Sequence, residues 1–585
     1  MDVATLPDGG VKLIERLTAL EADVRRQGDK VAPTATDIAK DGFANENKGL
    51  SWDDIQKASN AVQPRMFGRQ AMATHLAERN LILERLRDLH AALASRPADS
   101  EHAAQPRAVR SALMTHQLHA LAWLRWREQQ RPRGGVLADD MGLGKTITMI
   151  SLIISDKEAT LDDDDEEDYP EKGRRCSTVR GTLVVCPASL LQQWAGEVST
   201  HCGPHALSVC AHHGAARALQ PRRLAAADIV LTTYNILQRE SEKGGVLTRV
   251  FWRRVILDEA HAVRNYKSAT SQAVCALRAA RRWALTGTPL HNKDLDLFAL
   301  LKFLRCTPFD DLSMWKKWID NKSQGGQERL NTVMRCIMLR RTKQQLQERG
   351  QLTCLPQRNE HQQDVTLDTD EMNVYQKVLV FSKTLFAQFL HQRAERQADA
   401  QGFLPPGKDS QYAKVHKQMI ALQGEKAVVV SQWTSVLSLV ERELRAAKVR
   451  CVTLSGRVPV PARPPLIAAL NDARSDVRVM LLSLCAGGVG LNLVGANHLL
   501  LLDPHWNPQL EQQAQDRIYR VGQTKHVHIY RFTCLDTVEQ SIRQLQKAKL
   551  ELADNVLTGA KNNNASKLTI EDLKILFNMG TQPTS

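Results

Sequence analysis

The sequence predicts an α/β protein of two tandem lobes, each built on a parallel sheet, with helical segments before and after them. Two series of short apolar runs support this, one within residues 106–356 and one within residues 426–535. In both series the runs alternate with helical stretches, as in parallel sheets that helices cover on both faces. A glycine-rich turn after the first run indicates which edge of the first sheet binds a ligand.

Each strand is predicted from a short apolar run, and several of these runs end in polar residues. The runs are 135–137, 182–187, 228–233 and 254–258 in the first lobe, and 427–431, 449–454, 477–482 and 498–503 in the second. Ligands of parallel α/β sheets bind at the carboxyl ends of the strands. The polar residues that end these runs are therefore the candidates for a functional site.

The segments outside the lobes are predicted to be mainly helical, and in two stretches of the first segment the apolar residues recur with helical periodicity. These segments are 1–105, with helices at 11–27 and 70–94 and a linker at 95–100, then the connector 357–425, and the tail 536–585 with a helix at 537–557. An acidic run at 162–168 is predicted to be a solvated loop.

The composition limits the class of protein and its partners. A chain of 585 residues is too long for one hydrophobic core, so several domains are expected. Its net charge of +14 favours a polyanionic partner, with a merely soluble basic surface as the alternative. The 11 cysteines form no Cys-x-x-Cys pair, so no structural zinc is expected. No apolar run reaches the ~18 residues of a membrane span, and the start lacks a secretion signal.

Residues 138–146, here called the phosphate loop, join an apolar strand to a predicted helix. Glycines in such a turn let backbone N–H groups approach phosphate oxygens, while a lysine and a threonine reach the terminal phosphates and Mg²⁺. The predicted nucleotide-binding residues of the loop are Asp139, Asp140, Met141, Gly142, Leu143, Gly144, Lys145 and Thr146. Asp139 takes the place of the first glycine of the usual pattern. A glycine turn that only caps a core helix is the alternative.

Asp258 and Glu259 follow another apolar run and supply candidate acids. A carboxylate at a strand end near a phosphate loop can hold Mg²⁺ through water, which is the role expected of Asp258. Glu259 is then placed to polarise an attacking water molecule. The alternative is a cluster of acids that caps a helix.

Arg517 and Arg520 are the candidates from the second lobe. Their spacing of three residues predicts that they share one face of a helix. Two such arginines can neutralise the charge that develops on a γ-phosphate, as arginine fingers do. A solvated basic helix face is the more common explanation of an arginine pair taken by itself.

Nine short motifs occur in an order that resembles a known family. They lie at 114–117, 139–146, 186–190, 258–261, 285–289, 339–343, 431–433, 486–493 and 513–523. Their order resembles the Swi/Snf-type ATPases of helicase superfamily two, over residues 106–555. The residues at 138–141, 301–309, 516–523 and 567–573 further resemble the Lodestar-like, transcription-termination branch of that family.

The resemblance implies two RecA-like lobes with ATP as the nucleotide, and it gives each matched residue a role. In the first lobe, Gln117 would contact adenine, and Lys145 and Thr146 would hold phosphate and Mg²⁺. Asp258 would hold the metal with Thr146, and Glu259 would be the catalytic base.

The second lobe would complete the same nucleotide site. By the resemblance, Gly490, Arg517 and Arg520 would lie against the nucleotide, while residues 286–288 of the first lobe would couple hydrolysis to lobe movement.

The resemblance also implies contacts along the backbone of DNA. The matched positions are Pro187, Ser189, Thr232, Ser431, Ser483 and Trp506. Short polar side chains and exposed N–H groups at strand ends suit phosphates, so binding should be sensitive to salt rather than to sequence. Core packing is the alternative for Trp506 and for Trp433.

The function implied is a DNA-dependent ATPase that translocates on double-stranded DNA. The location implied is the nucleus, with the cytoplasm as a further location. In the Lodestar-like branch the motor displaces RNA polymerase II and its transcript. A chromatin-remodelling ATPase and an inactive scaffold that binds ATP or DNA are the two alternatives.

Two stretches depart from the family pattern. The connector contains no Leu-Arg-Gln…Cys-His-Pro-like run and is shorter than expected, which a splice variant, a faulty gene model or a real deletion would explain. Residues 458–465 contain four prolines where the family begins a helix, and they are predicted to resist one. The chain also lacks the zinc-finger extension of longer relatives.

Overall fold

A computed structural model gives the structure of most of the chain. The described residues are 52, 56, 59, 69–162, 178–214, 217, 223–224, 226–287, 294–320, 324–352, 355–377, 379, 425–459, 462–484 and 490–547. The chain divides into two compact units, residues 1–57 and 58–585, and the elements below belong to the second.

The first lobe is built on a parallel sheet that has seven strands among the described residues. They are β1 (Gly134–Leu137), β2 (Thr178–Cys186), β3 (Val209–Ala211), β4 (Ile229–Thr233), β5 (Phe251–Leu257), β6 (Arg278–Leu285) and β7 (Met338–Leu339). Their order is β3-β4-β2-β5-β6-β1-β7, and every pairing is parallel. Because β1 has a neighbour on each side, the start of the phosphate loop is held inside the sheet.

Helices of the first lobe connect these strands, and side-chain caps fix where several of them begin. The helices are α1 (Arg69–Ala94), α2 (Thr115–Gln129), α3 (Lys145–Asp162), α4 (Leu191–His201), α5 (Tyr234–Glu242), α6 (Val246–Arg249), α7 (Ala269–Ala276), α8 (Asp294–Leu304), α9 (Leu312–Trp318), α10 (Gln324–Ile337) and α11 (Lys343–Glu348). Asp311 accepts from the N–H of Met314 at 3.0 Å, for example. Helix α1 confirms the helix predicted at 70–94, whereas the one at 11–27 lies outside the described residues.

A buried charge cluster joins β5 and β6 to α2. Arg254 on β5 is 1% exposed and donates to both carboxylate oxygens of Glu128 at 2.6 Å. Trp283 of β6 donates to the same carboxylate at 2.8 Å, and Arg281 lies 3.3 Å from it. Strand β6 was not predicted from the sequence, because a run with three arginines does not look like a buried strand unless the partners of its charges are known.

The second lobe has a parallel sheet with six strands among the described residues. They are β8 (Arg358–Val365), β9 (Ala427–Ser431), β10 (Cys451–Leu454), β11 (Val479–Ser483), β12 (His498–Leu501) and β13 (Val527–Cys534), in the order β10-β11-β9-β12-β13-β8. Its helices are α12 (Thr434–Ala446), α13 (Arg463–Asn471) and α14 (Pro508–Gln515). The structure therefore confirms two parallel α/β lobes in tandem.

Two local predictions need correction. The connector is not helical at its start, because β8 pairs with β13 at the edge of the second sheet. Its mostly polar side chains alternate between more and less exposed positions, which is a strand period that the charge of the run obscured. Helix α13 begins inside the proline-rich run, with prolines in its first turn, where the missing N–H costs nothing.

The remaining predicted segments are only partly described. Residues 369–377 and 538–547 are helical, and the second range falls within the helix predicted at 537–557. The rest of the connector and of the tail lies outside the described residues. No helix in the described part of the chain is long and apolar enough to cross a membrane.

Candidate functional site

The phosphate loop passes from β1 to α3 through two glycines with left-handed backbones. Gly142 has φ +87° and Gly144 has φ +84°, conformations that other L residues rarely adopt. The ammonium of Lys145 donates to the carbonyl of Asp139 at 2.5 Å and to that of Asp140 at 3.1 Å. The lysine thus folds back over the start of its own loop and places its charge there.

Gln117, at the start of α2, is bonded to the phosphate loop and is only 5% exposed. Its Nε2 donates to the carbonyl of Leu143 at 3.2 Å, and its Oε1 accepts from the N–H of Met114 at 3.0 Å. A Cβ on Gly144 would lie 2.3 Å from that Nε2, so the side chain approaches the loop as closely as a glycine permits.

Residues 339–343, here called the exit segment, lie beside the phosphate loop as the chain leaves β7. The N–H of Asp140 donates to the carbonyl of Arg341 at 3.0 Å. Arg341 in turn donates to both carboxylate oxygens of Asp139, at 2.5 and 3.1 Å. The Asp139 side chain is therefore engaged in a buried ion pair at the base of the loop. The motif at 339–343 is visible in the sequence, but the role of Arg341 is not predicted by it.

Asp258 and Glu259 lie directly beyond β5, two strands from β1. The Asp258 carboxylate accepts from the Trp194 indole at 2.7 Å and from the N–H of Glu259 at 2.9 Å. The Tyr234 hydroxyl donates to the carbonyl of Asp258 at 2.8 Å. Glu259 itself has φ +50°, a left-handed conformation that is costly for a residue with a side chain. Glu259 occupies the N-cap position of the short 3-10 helix Ala260–Val263, but its side chain makes no capping bond, and Asp258 is fixed beyond β5 by Trp194 and Tyr234.

The pKa values of the two acids move in opposite directions. Burial, followed by the charge of Glu259, raises the pKa of Asp258 to about 6. Burial also opposes ionisation of Glu259, but a bond from His261 and the charges of Arg517 and Lys145 outweigh it and lower the pKa of Glu259. Glu259 therefore stays ionised at neutral pH and lies within electrostatic range of residues from both lobes.

Arg517 and Arg520 do not share a helix face, so that prediction is wrong. Helix α14 ends at Gln515, and both arginines lie in the turns that follow, here called the arginine turn (residues 516–521). The N–H of Arg517 bonds to the carbonyl of Ala514, three residues back at 3.2 Å, which tightens the chain and ends the helix. Arg517 is only 4% exposed, so a solvated basic face is also ruled out.

The arginine turn meets the phosphate loop across the junction of the lobes. The guanidinium of Arg517 lies 3.7 Å from the sulfur of Met141. The N–H of Val521 donates to the carbonyl of Gly142 at 3.4 Å. A Cβ on Gly142 would lie 2.5 Å from Cβ of Arg520, so only glycine allows this approach.

Gly490 and Leu143 extend the same junction. Gly490 has φ +51°, and a Cβ there would lie 1.7 Å from Cδ2 of Leu190 in the first lobe. Leu143 of the phosphate loop is 1% exposed and packs among core residues of the second lobe. Thr286 is buried, and a Cβ on Gly287 would lie 2.6 Å from Cγ of Met141, while residue 288 is not described. The predicted nucleotide-site residues of both lobes are therefore brought together.

The predicted DNA contacts all lie at or just beyond carboxyl ends of strands, but they differ in exposure. Pro187 and Ser189 are partly exposed after β2, whereas Thr232 is fully buried in β4 and donates to the carbonyl of His212 at 3.2 Å. Ser431 and Ser483 are buried at the ends of β9 and β11.

Two tryptophans on adjacent loops of the second lobe are exposed. Trp433, after β9, and Trp506, after β12, each have 36% of their surface exposed, so core packing is not supported for either. Asp503 joins the two loops, because it accepts from the Ser431 hydroxyl and from the N–H of Gln432 at 3.0 Å. Asp503 was not predicted as a site residue, although it ends a predicted strand.

Comparison with known proteins places the chain. A family model described as the SNF2-related domain matches residues 116–419, more than half of the sequence. The chain belongs to the SNF2-related family. A second model, the helicase conserved C-terminal domain, matches residues 410–522. The first match contains the phosphate loop and the second contains the whole arginine turn, so both halves of the junction belong to this SNF2-related architecture.

Several proteins resemble this SNF2-related chain. Transcription termination factor 2 of Drosophila melanogaster is 43% identical over 91% of the chain and 65% of its own length. The probable global transactivator of Orgyia pseudotsugata multicapsid polyhedrosis virus is 32% identical over 80% and 94%, and the helicase-like transcription factor of Homo sapiens is 28% identical over 68% and 53%. The SWI2/SNF2 ATPase core of Sulfolobus solfataricus in complex with dsDNA is 23% identical, over 82% of this chain and all of that one, with a TM-score of 0.39.

The chain spans only part of the length of two of these relatives. The chain spans 65% of the Drosophila factor and 53% of the human one. The alignment with the Drosophila factor has 688 positions, more than the 585 residues of this chain. That relative therefore contains segments that have no counterpart here.

We predict that Gly142→Ala destabilises the protein because its Cβ collides with Arg520. The cost should exceed that of Gly350→Ala by about 1–3 kcal/mol, since Gly350 has a similar φ of +69° but nothing within 4 Å of its Cβ position. The control should lose only about 1 kcal/mol through its left-handed backbone. Urea unfolding measures both, and equal losses in the two variants would mean that the loop and the arginine turn do not touch.

Proposed function

We propose that this chain is a DNA-dependent ATPase that uses ATP hydrolysis to move along double-stranded DNA. The observation that carries the proposal is the meeting of the phosphate loop and the arginine turn at the lobe junction, where the guanidinium of Arg517 lies 3.7 Å from the sulfur of Met141 and the charges of Arg517 and Lys145 both act on Glu259. A base, a phosphate-binding cation and an arginine from the other lobe are the parts that phosphoryl transfer needs.

The first lobe would bind the triphosphate. The N–H groups of the phosphate loop and the ammonium of Lys145 would hold its oxygens, and Gln117, bonded to the loop through Leu143, would contact adenine. Thr146 and Asp258 fit Mg²⁺, because one hydroxyl and one carboxylate leave room for the phosphate and water oxygens that complete an octahedral shell. The ion, when bound, would neutralise charge on the phosphates.

Hydrolysis would then use one residue from each lobe. Glu259 is ionised and would orient the attacking water and accept its proton. Arg517, which burial keeps away from solvent, would stabilise the charge that develops on the γ-phosphate, with Arg520 and Gly490 closing the site behind it. Residues 286–288, of which Gly287 lies against Met141, would transmit the change to the lobes.

DNA would bind along the carboxyl edges of both sheets. The net charge of +14 favours a polyanion, and Pro187, Ser189, Ser431 and Ser483 are proposed near its backbone. Thr232 is buried, so we propose that it acts indirectly. Its hydroxyl donates to the carbonyl of His212 and so fixes the end of β4. Trp433 and Trp506 are the exposed apolar contacts, fixed relative to one another by Asp503.

We further propose that the motor acts in transcription termination in the nucleus, by displacing RNA polymerase II. The support is the 43% identity to a protein named transcription termination factor 2. Displacement of the polymerase by the motor would also release the transcript. The chain studied alone should show the DNA-stimulated hydrolysis described next, whichever complex recruits it.

We predict that duplex DNA accelerates ATP hydrolysis by the purified chain, and that Glu259→Gln lowers kcat by about 10²–10⁴-fold because it removes the general base. Glu348→Gln, at an exposed position of α11, should keep the full rate. Phosphate release at low salt measures both. An unchanged rate on adding duplex DNA would contradict the translocase, and ATP binding without hydrolysis would favour the scaffold.

We also predict that Trp433→Ala and Trp506→Ala each raise the DNA concentration that gives half-maximal ATPase stimulation. Loss of about 1 kcal/mol of contact corresponds to a roughly five-fold rise. Leu81→Ala is the matched control, since Leu81 is 46% exposed on α1, far along the chain from these loops. A half-maximal concentration that stays the same in both tryptophan variants would place DNA elsewhere.

A further inference from the structure

Lys343 is a buried lysine that touches both halves of the lobe junction. It is 6% exposed, and it is both the last residue of the exit segment and the first residue of α11. Its backbone N–H donates to the carboxylate of Asp140 at 3.0 Å. Its ammonium lies 2.7 Å from the carboxylate of Asp516 and also donates to the carbonyl of Tyr519. One residue thus bonds to the phosphate loop through its backbone and to the arginine turn through its side chain.

The surroundings show why a cation is required there. The carboxylates of Asp140 and Asp516 are close enough for the charge of Asp516 to raise the pKa of Asp140, in addition to the larger effect of burial. Both acids act on the Lys343 ammonium, which also lies 4.9 Å from the ring centre of Tyr519. Removing the cation would leave the buried carboxylate of Asp516 without its ion pair and would take one positive charge away from the partly buried Asp140, which is costly in a region of low dielectric constant.

We propose that Lys343 is a positioning residue that ties the phosphate loop to the arginine turn, so that nucleotide at the loop and Arg517 adopt their working geometry together. The proposal rests on the proposed ATPase function. Asp140 belongs to the loop that would hold phosphate, and Asp516 immediately precedes Arg517. A shift of the loop would therefore move the arginine through two bonds, without contact between Lys343 and the nucleotide.

Further hydrogen bonds on both sides of Lys343 support this path from the phosphate loop to the arginine turn. The N–H of Asp140 also bonds to the carbonyl of Arg341, two residues before Lys343, so the exit segment follows the loop closely. On the far side, Gln347 donates to the Tyr519 hydroxyl at 3.2 Å, which holds the arginine turn against α11. Lys343 is the cationic member of this path, and its charge is what the two acids share.

Three variants test the tie. Lys343→Met removes the cation, and Lys343→Met with Asp516→Asn also removes one of the facing charges. Lys157→Met is the matched control, because Lys157 pairs with Asp228 at 2.9 Å in a partly exposed site on the first lobe. For each variant, amide hydrogen exchange is followed by mass spectrometry without nucleotide, and ATP turnover and the affinity for a fluorescent ATP analogue are measured with duplex DNA.

We expect Lys343→Met to raise exchange in residues 138–144 and 516–523 together, while β6 stays protected. Turnover at saturating ATP should fall at least ten-fold, with the analogue affinity changed less than three-fold, and the double variant should recover several-fold of the turnover. The control should behave as the unchanged protein. A mere loss of structure would lower affinity and turnover together and would not be relieved by Asp516→Asn.

Two results would overturn the proposal: exchange unchanged in the arginine turn of Lys343→Met, or a double variant no faster than the single one. If the unchanged chain does not hydrolyse ATP at all, the proposed function fails, and the exchange data still decide whether Lys343 ties the two segments.

Discussion

The close approach of the phosphate loop to the arginine turn is the constraint on which the rest of the structure depends. Gly142 permits this approach because a single added carbon would lie 2.5 Å from the side chain of Arg520. Around it, Leu143 packs in the core of the second lobe and Gly490 packs on Leu190 of the first. Residues of each lobe therefore pack against the other lobe at this junction. A small displacement here would change the position of Arg517 relative to Glu259.

The parallel sheets explain why the chemistry gathers at one edge. Strand β1 ends in the phosphate loop and β5 ends in the paired acids, with β6 between them. Their carboxyl ends face the same side, so Lys145 and Asp258 come within electrostatic range although more than a hundred residues separate them. Elsewhere in the lobe, the pairing of Arg254 with Glu128 satisfies buried charges that lie on β5 and α2. The packing of α2 on the sheet therefore includes a buried ion pair as well as apolar contacts.

Site residues that belong to local sequence patterns could be predicted from the sequence. Gly144, Lys145, Asp258 and Glu259 stand next to apolar runs, and the alternation of those runs with helices predicted both lobes. The sequence was not sufficient where a role depends on a distant partner. Asp139 pairs with Arg341, 202 residues away, and nothing near either residue signals the contact.

Charged strands were the other source of error. Strand β6 carries arginines and β8 carries mostly polar side chains, so neither has the apolar run by which a buried strand is recognised. The arginine turn was misassigned for a related reason, since a spacing of three residues suits a helix but cannot show that the helix ends at Gln515. These elements are determined by pairing and by packing between the lobes, which periodicity does not report.

A double-mutant cycle between Glu259 and Arg517 tests most directly whether the two lobes form one catalytic site. The rate at saturating ATP and duplex DNA is measured for Glu259→Gln, for Arg517→Ala and for the pair. Residues that act on one transition state are strongly non-additive. The account predicts that the double variant is no more than a few-fold slower than the slower single variant. Losses that multiply in full would contradict it, because they would mean that the two residues act in separate steps or at separate sites.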